Sequence, residues 1–180
     1  MTLENLLLQN QKAILERWFD LILETYPAST AALMRKDKNQ FTNPVGFTIS
    51  REIEILLKGL IEGANPEGFS TSLNSIVKVR SVQDLSPSKA VGFIFLLKKA
   101  IEETAKGEIQ KGMIQDEWLK LQSRIDDLAL QAFDIYMDCR ERVCEIRINQ
   151  AKSEREMAFR MMQRMSYSKA KTGKEKDPDS

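Results

Sequence analysis

The fold is decided by residues 80–98, RSVQDLSPSKAVGFIFLLK. Ser86 is a suitable helix N-cap, because its hydroxyl can accept hydrogen bonds from the free amides of the first turn, and Pro87 suits the first helical position. Residues 90–97, which follow, are apolar on nearly every face of the helix that begins here. A helix of this kind belongs in the centre of a bundle, so the sequence predicts a buried central helix.

Helical periodicity extends on both sides of this stretch. Asn43-Pro44 and Asn65-Pro66 repeat the pairing of a capping residue with a proline. No segment shows the clean alternation of a strand, so the sequence predicts an all-α bundle with a long C-terminal helix. The predicted helices cover residues 3–24, 28–34, 44–62, 66–82, 86–101 and 114–165, and polar connections cover residues 35–43 and 102–112.

The length and composition of the chain fit one domain with an appended segment. The chain has 180 residues, of which 42% are hydrophobic and 29% are charged. The net charge of +1 argues against a generally basic nucleic-acid binder. We expect a helical domain over residues 1–150, a basic Met-rich helix extension over 151–165 and a disordered tail over 166–180.

No targeting or membrane-spanning signal is visible in the sequence. The N-terminus, MTLENLLLQNQK, lacks the basic start and the cleavage site of a signal peptide. No apolar run approaches the roughly 18 residues that a transmembrane helix needs. We therefore expect a cytoplasmic protein.

The charge changes sign along the last third of the chain. Residues 102–138 carry nine acidic and four basic side chains, whereas residues 140–176 carry eleven basic and five acidic ones. Within the basic part, SEREMAFRMMQRM (residues 153–165) interleaves methionine and phenylalanine with three arginines. This pattern fits a membrane-surface helix, a Met-rich docking helix or a solvated extension of the long helix.

Histidine is absent, and this excludes several classes of chemistry. It removes His-based acid–base catalysis, the Ser and Cys triads that use His, most zinc sites and the usual proximal ligand of a globin haem. The two cysteines, Cys139 and Cys144, lie about 140° apart on a helix and cannot pair within it. We expect no enzyme activity, no cofactor and no metal.

The long helix carries two apolar faces. One follows a heptad rhythm through Leu121 and Ile125, and its candidate dimer-seam residues are Leu128, Ala132, Ile135 and Cys139. Another side holds Leu130, Phe133, Met137 and Cys144. Two faces predict two burials, one in the domain and one against a partner protein.

Several motifs occur in one order along the chain: Trp18 with Tyr26-Pro27, NPVGF at 43–47, RSVQD at 80–84, SPSKAV at 86–91 and FIFLLK at 93–98. Together they resemble the RsbRD N-terminal domain family, the sensory domain of RsbT co-antagonist proteins, over about residues 8–151. The motif positions are Pro44, Gly46, Arg80, Gln83, Pro87, Ser88 and Phe93.

The resemblance implies a globin-like bundle without haem that dimerises through helices and serves bacterial stress signalling. In stressosome proteins the domain feeds a STAS output domain, and related sensory domains precede histidine kinases. This chain stops soon after the long helix, so it is either a stand-alone sensor or adaptor or a truncated piece of a longer protein. The tail after Met165 favours the stand-alone form. Single-domain relatives also occur near membrane redox complexes of sulfate- and metal-reducing bacteria, which implies an accessory role.

Three functional hypotheses follow. The first is a dimeric, non-catalytic regulatory module that acts through protein contacts. The second is a sensor that binds a fatty acid or similar apolar molecule in the bundle core, with Ile53, Leu57, Phe93 and Phe95 as candidate lining residues, against the alternative of a filled core. The third is a peripheral adaptor that contacts anionic membranes through residues 155–174. We also expect Arg80, Gln83 and Asp84 to fix their turn by hydrogen bonds.

Overall fold

The structure is a computed structural model that describes residues 2–37, 39–62, 66–83, 85–109 and 114–174. These residues form eight α-helices and no strand, which confirms the predicted all-α class with a long C-terminal helix. The helices are α1 (Leu3–Gln9), α2 (Gln11–Leu23), α3 (Ala28–Lys36), α4 (Pro44–Glu62), α5 (Pro66–Ser81), α6 (Pro87–Gly92), α7 (Phe95–Ile109) and α8 (Gln115–Lys174).

The chain divides into two compact units, Met1–Cys139 and Arg140–Ser180. The first unit holds the hydrophobic core, in which α2 packs against α4 and α7, and α4 packs against α5. The core is built from helix faces with apolar residues three or four positions apart. On α4 these residues are Ile49, Ile53, Leu56, Leu57 and Leu60, and each is at most 2% exposed.

The helix predicted over residues 3–24 is interrupted at Asn10. The backbone of Asn10 leaves the helical region (φ −101°, ψ 7°), and its side-chain Nδ2 donates a hydrogen bond to the carbonyl of Leu6 at 2.9 Å. An asparagine side chain competes in this way with the backbone for helix carbonyls. The result is two helices, α1 and α2, in place of one.

The predicted central helix is also interrupted. Phe93 and Ile94 form a turn between α6 and α7, and Phe95, the first residue of α7, is 47% exposed. The helix is therefore not buried on every face. The polar connection predicted over residues 102–112 is helical as far as Ile109, with a kink at Ala105, and residues 110–113 lie outside the described residues.

The second unit consists of the C-terminal part of α8. Residues 166–174 are helical here, whereas the sequence predicts a disordered tail, and residues 175–180 lie outside the described residues. Lys169, Ala170 and Lys171 favour helix by intrinsic propensity, so apolar periodicity is not required for the helix to continue. The predicted boundary at residue 150 lies further along the chain than the division between the two units.

The start of α4 explains the Asn43-Pro44-Val45-Gly46 motif. Asn43 is buried, and its Oδ1 accepts a hydrogen bond from the amide of Gly46 at 3.0 Å. Its Nδ2 donates to the carbonyls of Met34 (3.1 Å) and Asp37 (2.6 Å), which ties the start of α4 to the end of α3. A Cβ on Gly46 would lie 2.8 Å from Oδ1 and 2.9 Å from Cγ of Asn43, so only glycine leaves room for this cap.

We expect Gly46→Ala to lower the free energy of unfolding by about 2 kcal/mol, because the new methyl group must displace the capping side chain of Asn43. Gly92→Ala is the matched control, since nothing lies within 4 Å of a Cβ at Gly92. The control should leave stability unchanged or raise it slightly, as alanine favours helix. Urea denaturation measures both variants, and equal stability of the two would contradict the capping role of Asn43.

Candidate functional site

The best-defined polar site of the structure surrounds Arg80, near the end of α5. Arg80 is fully buried, and its guanidinium donates hydrogen bonds to two other segments of the chain, residues 25–26 and residues 89–90. Nε donates to the carbonyl of Ala90 at 3.1 Å, and Nη2 donates to the carbonyl of Lys89 at 2.7 Å. Nη2 also donates to Oγ1 of Thr25 at 3.1 Å, and Nη1 donates to the hydroxyl of Tyr26 at 2.8 Å.

These contacts compensate for the break between α6 and α7. The amide of Ile94 bonds to the carbonyl of Val91, three residues back, and so does not serve the carbonyl of Ala90. Arg80 supplies donors to the last carbonyls of α6, where a cation is also favoured by the helix dipole. A side chain of α5 therefore completes the C-terminus of α6.

The other side of the break is completed by Trp18 of α2. The amide of Leu97 bonds to the carbonyl of Ile94 and so leaves the carbonyl of Phe93 to another donor. That donor is Nε1 of Trp18, at 2.7 Å in a buried environment. The rings of Trp18 and Phe93 also stack, with centroids 6.5 Å apart and planes inclined by 15°. Trp18 is thus fully buried in the core and also donates the hydrogen bond that the carbonyl of Phe93 needs.

The positive charge of Arg80 is held without a carboxylate among the partners described above. The guanidinium carbon lies 5.0 Å from the ring centroid of Tyr26 and 5.5 Å from that of Phe93, within range of cation–π attraction. Carbonyl dipoles and aromatic faces thus take the place of a counter-ion. Burial lowers the pKa of Arg80 below its ordinary value, although contact with Tyr26 opposes this shift.

Tyr26 links this cluster to Gln83. Its hydroxyl accepts from Arg80 and donates to Oε1 of Gln83 at 2.8 Å. Burial raises the pKa of Tyr26 above its ordinary 10.0, while Arg80 acts in the opposite direction. Arg80 and Gln83 have the hydrogen bonds that the sequence predicts, and Asp84 lies outside the described residues.

The remaining motif residues lie at helix starts. Pro44 and Pro87 are the first residues of α4 and α6. The hydroxyl of Ser86 accepts from the amide of Lys89 at 3.4 Å and lies 3.2 Å from the hydroxyl of Ser88. These residues set where helices begin, and Ser88 itself is exposed.

The first part of α8 packs one face into the core of the first unit. Leu128 and Ala132 are at most 1% exposed, whereas Ile135 and Cys139 are half-buried. Leu128 and Ala132, two of the four candidate dimer-seam residues, therefore have no surface to offer a partner. Their heptad spacing therefore reflects packing of α8 against the core of the same chain.

The second apolar side of α8 is exposed. Leu130, Phe133 and Met137 are 67%, 48% and 40% exposed. Phe95 lies beside this side, because Nζ of Lys98 sits 5.8 Å from the centroid of the Phe95 ring and bonds to Asp126 of α8 at 2.6 Å. These four apolar residues, Phe95, Leu130, Phe133 and Met137, are called the outer face below.

The candidate ligand-pocket residues are divided between the core and the surface. Ile53, Leu57 and Phe93 are at most 1% exposed and fill the core, whereas Phe95 belongs to the outer face. Ile53 alone among the four lines a groove of about 320 Å³, whose walls come from α2, α3 and α4. The groove also holds Phe19, Phe47 and the carboxylates of Glu16 and Glu54.

A second groove, of about 660 Å³, lies between α7 and the start of α8. It is lined by Lys99, Glu102, Glu103, Lys106, Ile109, Gln115 and Trp118. Its charges are mixed, and Glu103 is already engaged by Arg17 and Lys99. Within the described part of the chain, no three side chains of the types that bind metals form a cluster.

No helix among the described residues is both long and apolar enough to cross a membrane.

Sequence reasoning missed two features of the Arg80 site. Thr25 is not part of any of the sequence motifs. The break after Gly92 interrupts an apolar run that favours one continuous helix. Gly92 itself was the available signal, since glycine weakens a helix interior by about 1 kcal/mol relative to alanine. The hydrogen bond between Trp18 and Phe93 joins residues 75 positions apart, and local periodicity carries no information about such a pair.

Comparison with known proteins gave one match. A family model described as "RsbT co-antagonist protein rsbRD N-terminal domain" matches residues 12–151. No curated protein and no solved structure shows significant similarity to the chain. The globin-like arrangement of the helices therefore stays a prediction.

Tyr26→Phe tests the electrostatics of the Arg80 site. A raised pKa in the folded chain means that the stabilising effect of Tyr26 is fully present below about pH 10 and is lost as the pH rises through the folded pKa. We expect the wild-type free energy of unfolding to fall between about pH 9 and pH 11, and that of Tyr26→Phe to fall less. Urea denaturation at both pH values measures the slopes, and a steeper fall in the variant would contradict the raised pKa.

Proposed function

Because the chain belongs to the RsbT co-antagonist protein rsbRD N-terminal domain family, we propose that it is a non-catalytic signalling module that acts as a homodimer. The family is one of regulatory, stressosome-type sensor domains that work through protein contacts. The observation that supports a dimer is the outer face, where four large apolar side chains are 40% or more exposed.

The outer face has the properties of a contact surface between copies. Exposed apolar residues that lie together, and are not scattered singly, mark interaction sites on soluble proteins. Phe133 and Phe95 provide aromatic area, and methionine adapts its shape to a partner. A two-fold dimer places the same patch of both copies in contact. The outer face of one copy can therefore be covered by the outer face of the other.

The position of the outer face on α8 offers a route for a signal. Leu128 and Ala132 pack in the core, while Leu130 and Phe133 project from the same turns of the same helix. A change in core packing that shifts α8 therefore moves both faces together, since packed helices respond by small rigid shifts. The proposed signal is a change in how two copies contact one another.

The protein-contact function is favoured over an apolar-ligand sensor by the filled core. Ile53, Leu57 and Phe93 are at most 1% exposed and belong to the hydrophobic core. The groove of about 320 Å³ is lined by three carboxylates, Glu16, Asp37 and Glu54, and by one cation, Arg35, and this negative balance disfavours a fatty acid.

We expect Phe133→Lys to shift the protein from dimer to monomer, because a charge at the centre of an apolar contact must be desolvated. The dissociation constant of the dimer should rise at least tenfold. Gln131→Lys is the matched control. It adds the same charge two residues away at an exposed polar position of α8. Sedimentation velocity over a range of concentrations measures both variants.

The control should keep the dimer of the wild-type chain. A wild-type chain that stays monomeric at high concentration would refute the homodimer. Equal dissociation of Phe133→Lys and Gln131→Lys would instead refute the outer face as the contact. Circular dichroism confirms that both variants remain folded, which the exposure of both side chains leads us to expect.

A further inference from the structure

The strongest unassigned feature lies in the second unit, on the last described turns of α8. Met157, Phe159, Met161, Met162 and Met165 are all between 56% and 66% exposed. A cluster of exposed large apolar side chains marks a site of contact with a protein or a membrane. This group is separate from the outer face, which belongs to the first unit.

The apolar side chains share one broad side of the helix. At about 100° per residue, Met157, Met161, Met165 and Met162 fall within an arc of about 140°. Phe159 lies about 60° beyond Met162, so the five side chains together span about 200°. The other side carries Glu156, Arg160, Gln163 and Arg164. An arc of this width suits an extended apolar surface, whereas a coiled-coil seam is narrower.

The sequence before this segment fills only one of the two apolar positions that each heptad of a coiled coil needs. In steps of seven before Met165 stand Ala158, Ala151 and Cys144, which are small or apolar. In steps of seven before Met161 stand Glu154 and Arg147. Charges at this second position interrupt a seam between two copies.

The charge of the segment indicates the nature of the covering surface. Residues 155–174 contain six basic side chains and one acidic side chain. Arg160 and Arg164 both lie beside the Met157 edge of the apolar arc. From there their long side chains can reach anionic groups while the methionines insert. Each basic residue near an anionic bilayer contributes about 1 kcal/mol to binding.

We propose that residues 157–174 form a helix that lies on an anionic lipid bilayer, with the Met-rich side inserted and the arginines at the headgroups. A basic amphipathic helix of this kind binds through buried apolar area together with attraction to anionic lipids. The geometry is that of a helix in the plane of the interface, and the helix does not cross the bilayer. A protein partner with an acidic apolar groove is the competing occupant, which the following test separates.

The test uses the full chain and vesicles of phosphatidylcholine with or without about 30 mol% phosphatidylserine. We expect the wild-type chain to sediment with the anionic vesicles at low salt and to bind neutral vesicles at least tenfold more weakly. Raising the ionic strength to about 0.5 M should release most of the bound protein, since added salt screens the attraction. Absence of binding to anionic vesicles at low salt overturns the proposal and leaves the segment to a protein partner.

Two matched variants distinguish insertion of the Met-rich side into the bilayer from electrostatic attraction to anionic lipids alone. Met161→Asp and Gln163→Asp each add one negative charge two residues apart, on the apolar and the polar side of the helix. Gln163→Asp should weaken binding by about fivefold, the equivalent of one charge. Met161→Asp should weaken it by at least a further tenfold, because its carboxylate would have to enter the bilayer interface.

Equal weakening by the two variants overturns the inserted Met-rich side. Both side chains lie on the exposed second unit, so the unfolding transition of the first unit should be the same in both variants. Sedimentation velocity without vesicles provides the last comparison. An equal oligomeric state of wild type and Met161→Asp supports the proposal, whereas dissociation caused by Met161→Asp overturns it in favour of contact between copies.

Discussion

The buried guanidinium of Arg80 is the constraint on which the first unit depends. A fully buried cation is costly unless its donors are satisfied, and Arg80 meets this requirement only where α2, α5 and α6 come together. Its acceptors are the carbonyls of Lys89 and Ala90 and the hydroxyls of Thr25 and Tyr26. The position of α6 relative to α2 is thereby fixed by one side chain.

The break between α6 and α7 changes which backbone carbonyls need a partner. An unbroken helix would also place Phe93 and Phe95 on opposite sides, about 200° apart, so their burial and exposure do not depend on the break. The break instead leaves the carbonyls of Lys89, Ala90 and Phe93 to side-chain donors. Arg80 and Trp18 supply those donors from two other helices.

Much of this architecture could be predicted from the sequence, because helix periodicity and capping are local. The helix starts at Pro44 and Pro87 followed from the pairing of a capping residue with a proline. The choice between the two apolar faces of α8 could not be predicted, since both Leu128 and Leu130 fit a helical stripe. Burial distinguishes them, and burial depends on how α8 meets the other helices.

Arg80 and Trp18 stabilise the interrupted helix by hydrogen bonds to carbonyls on either side of the break between α6 and α7. The most direct measurement is a double-mutant cycle of Arg80→Met and Trp18→Phe, with the free energy of unfolding taken from urea denaturation of all four proteins. Since both side chains also contact Phe93, we predict a coupling energy of about 1 kcal/mol or more. Additive effects, within about 0.5 kcal/mol, would contradict the shared role.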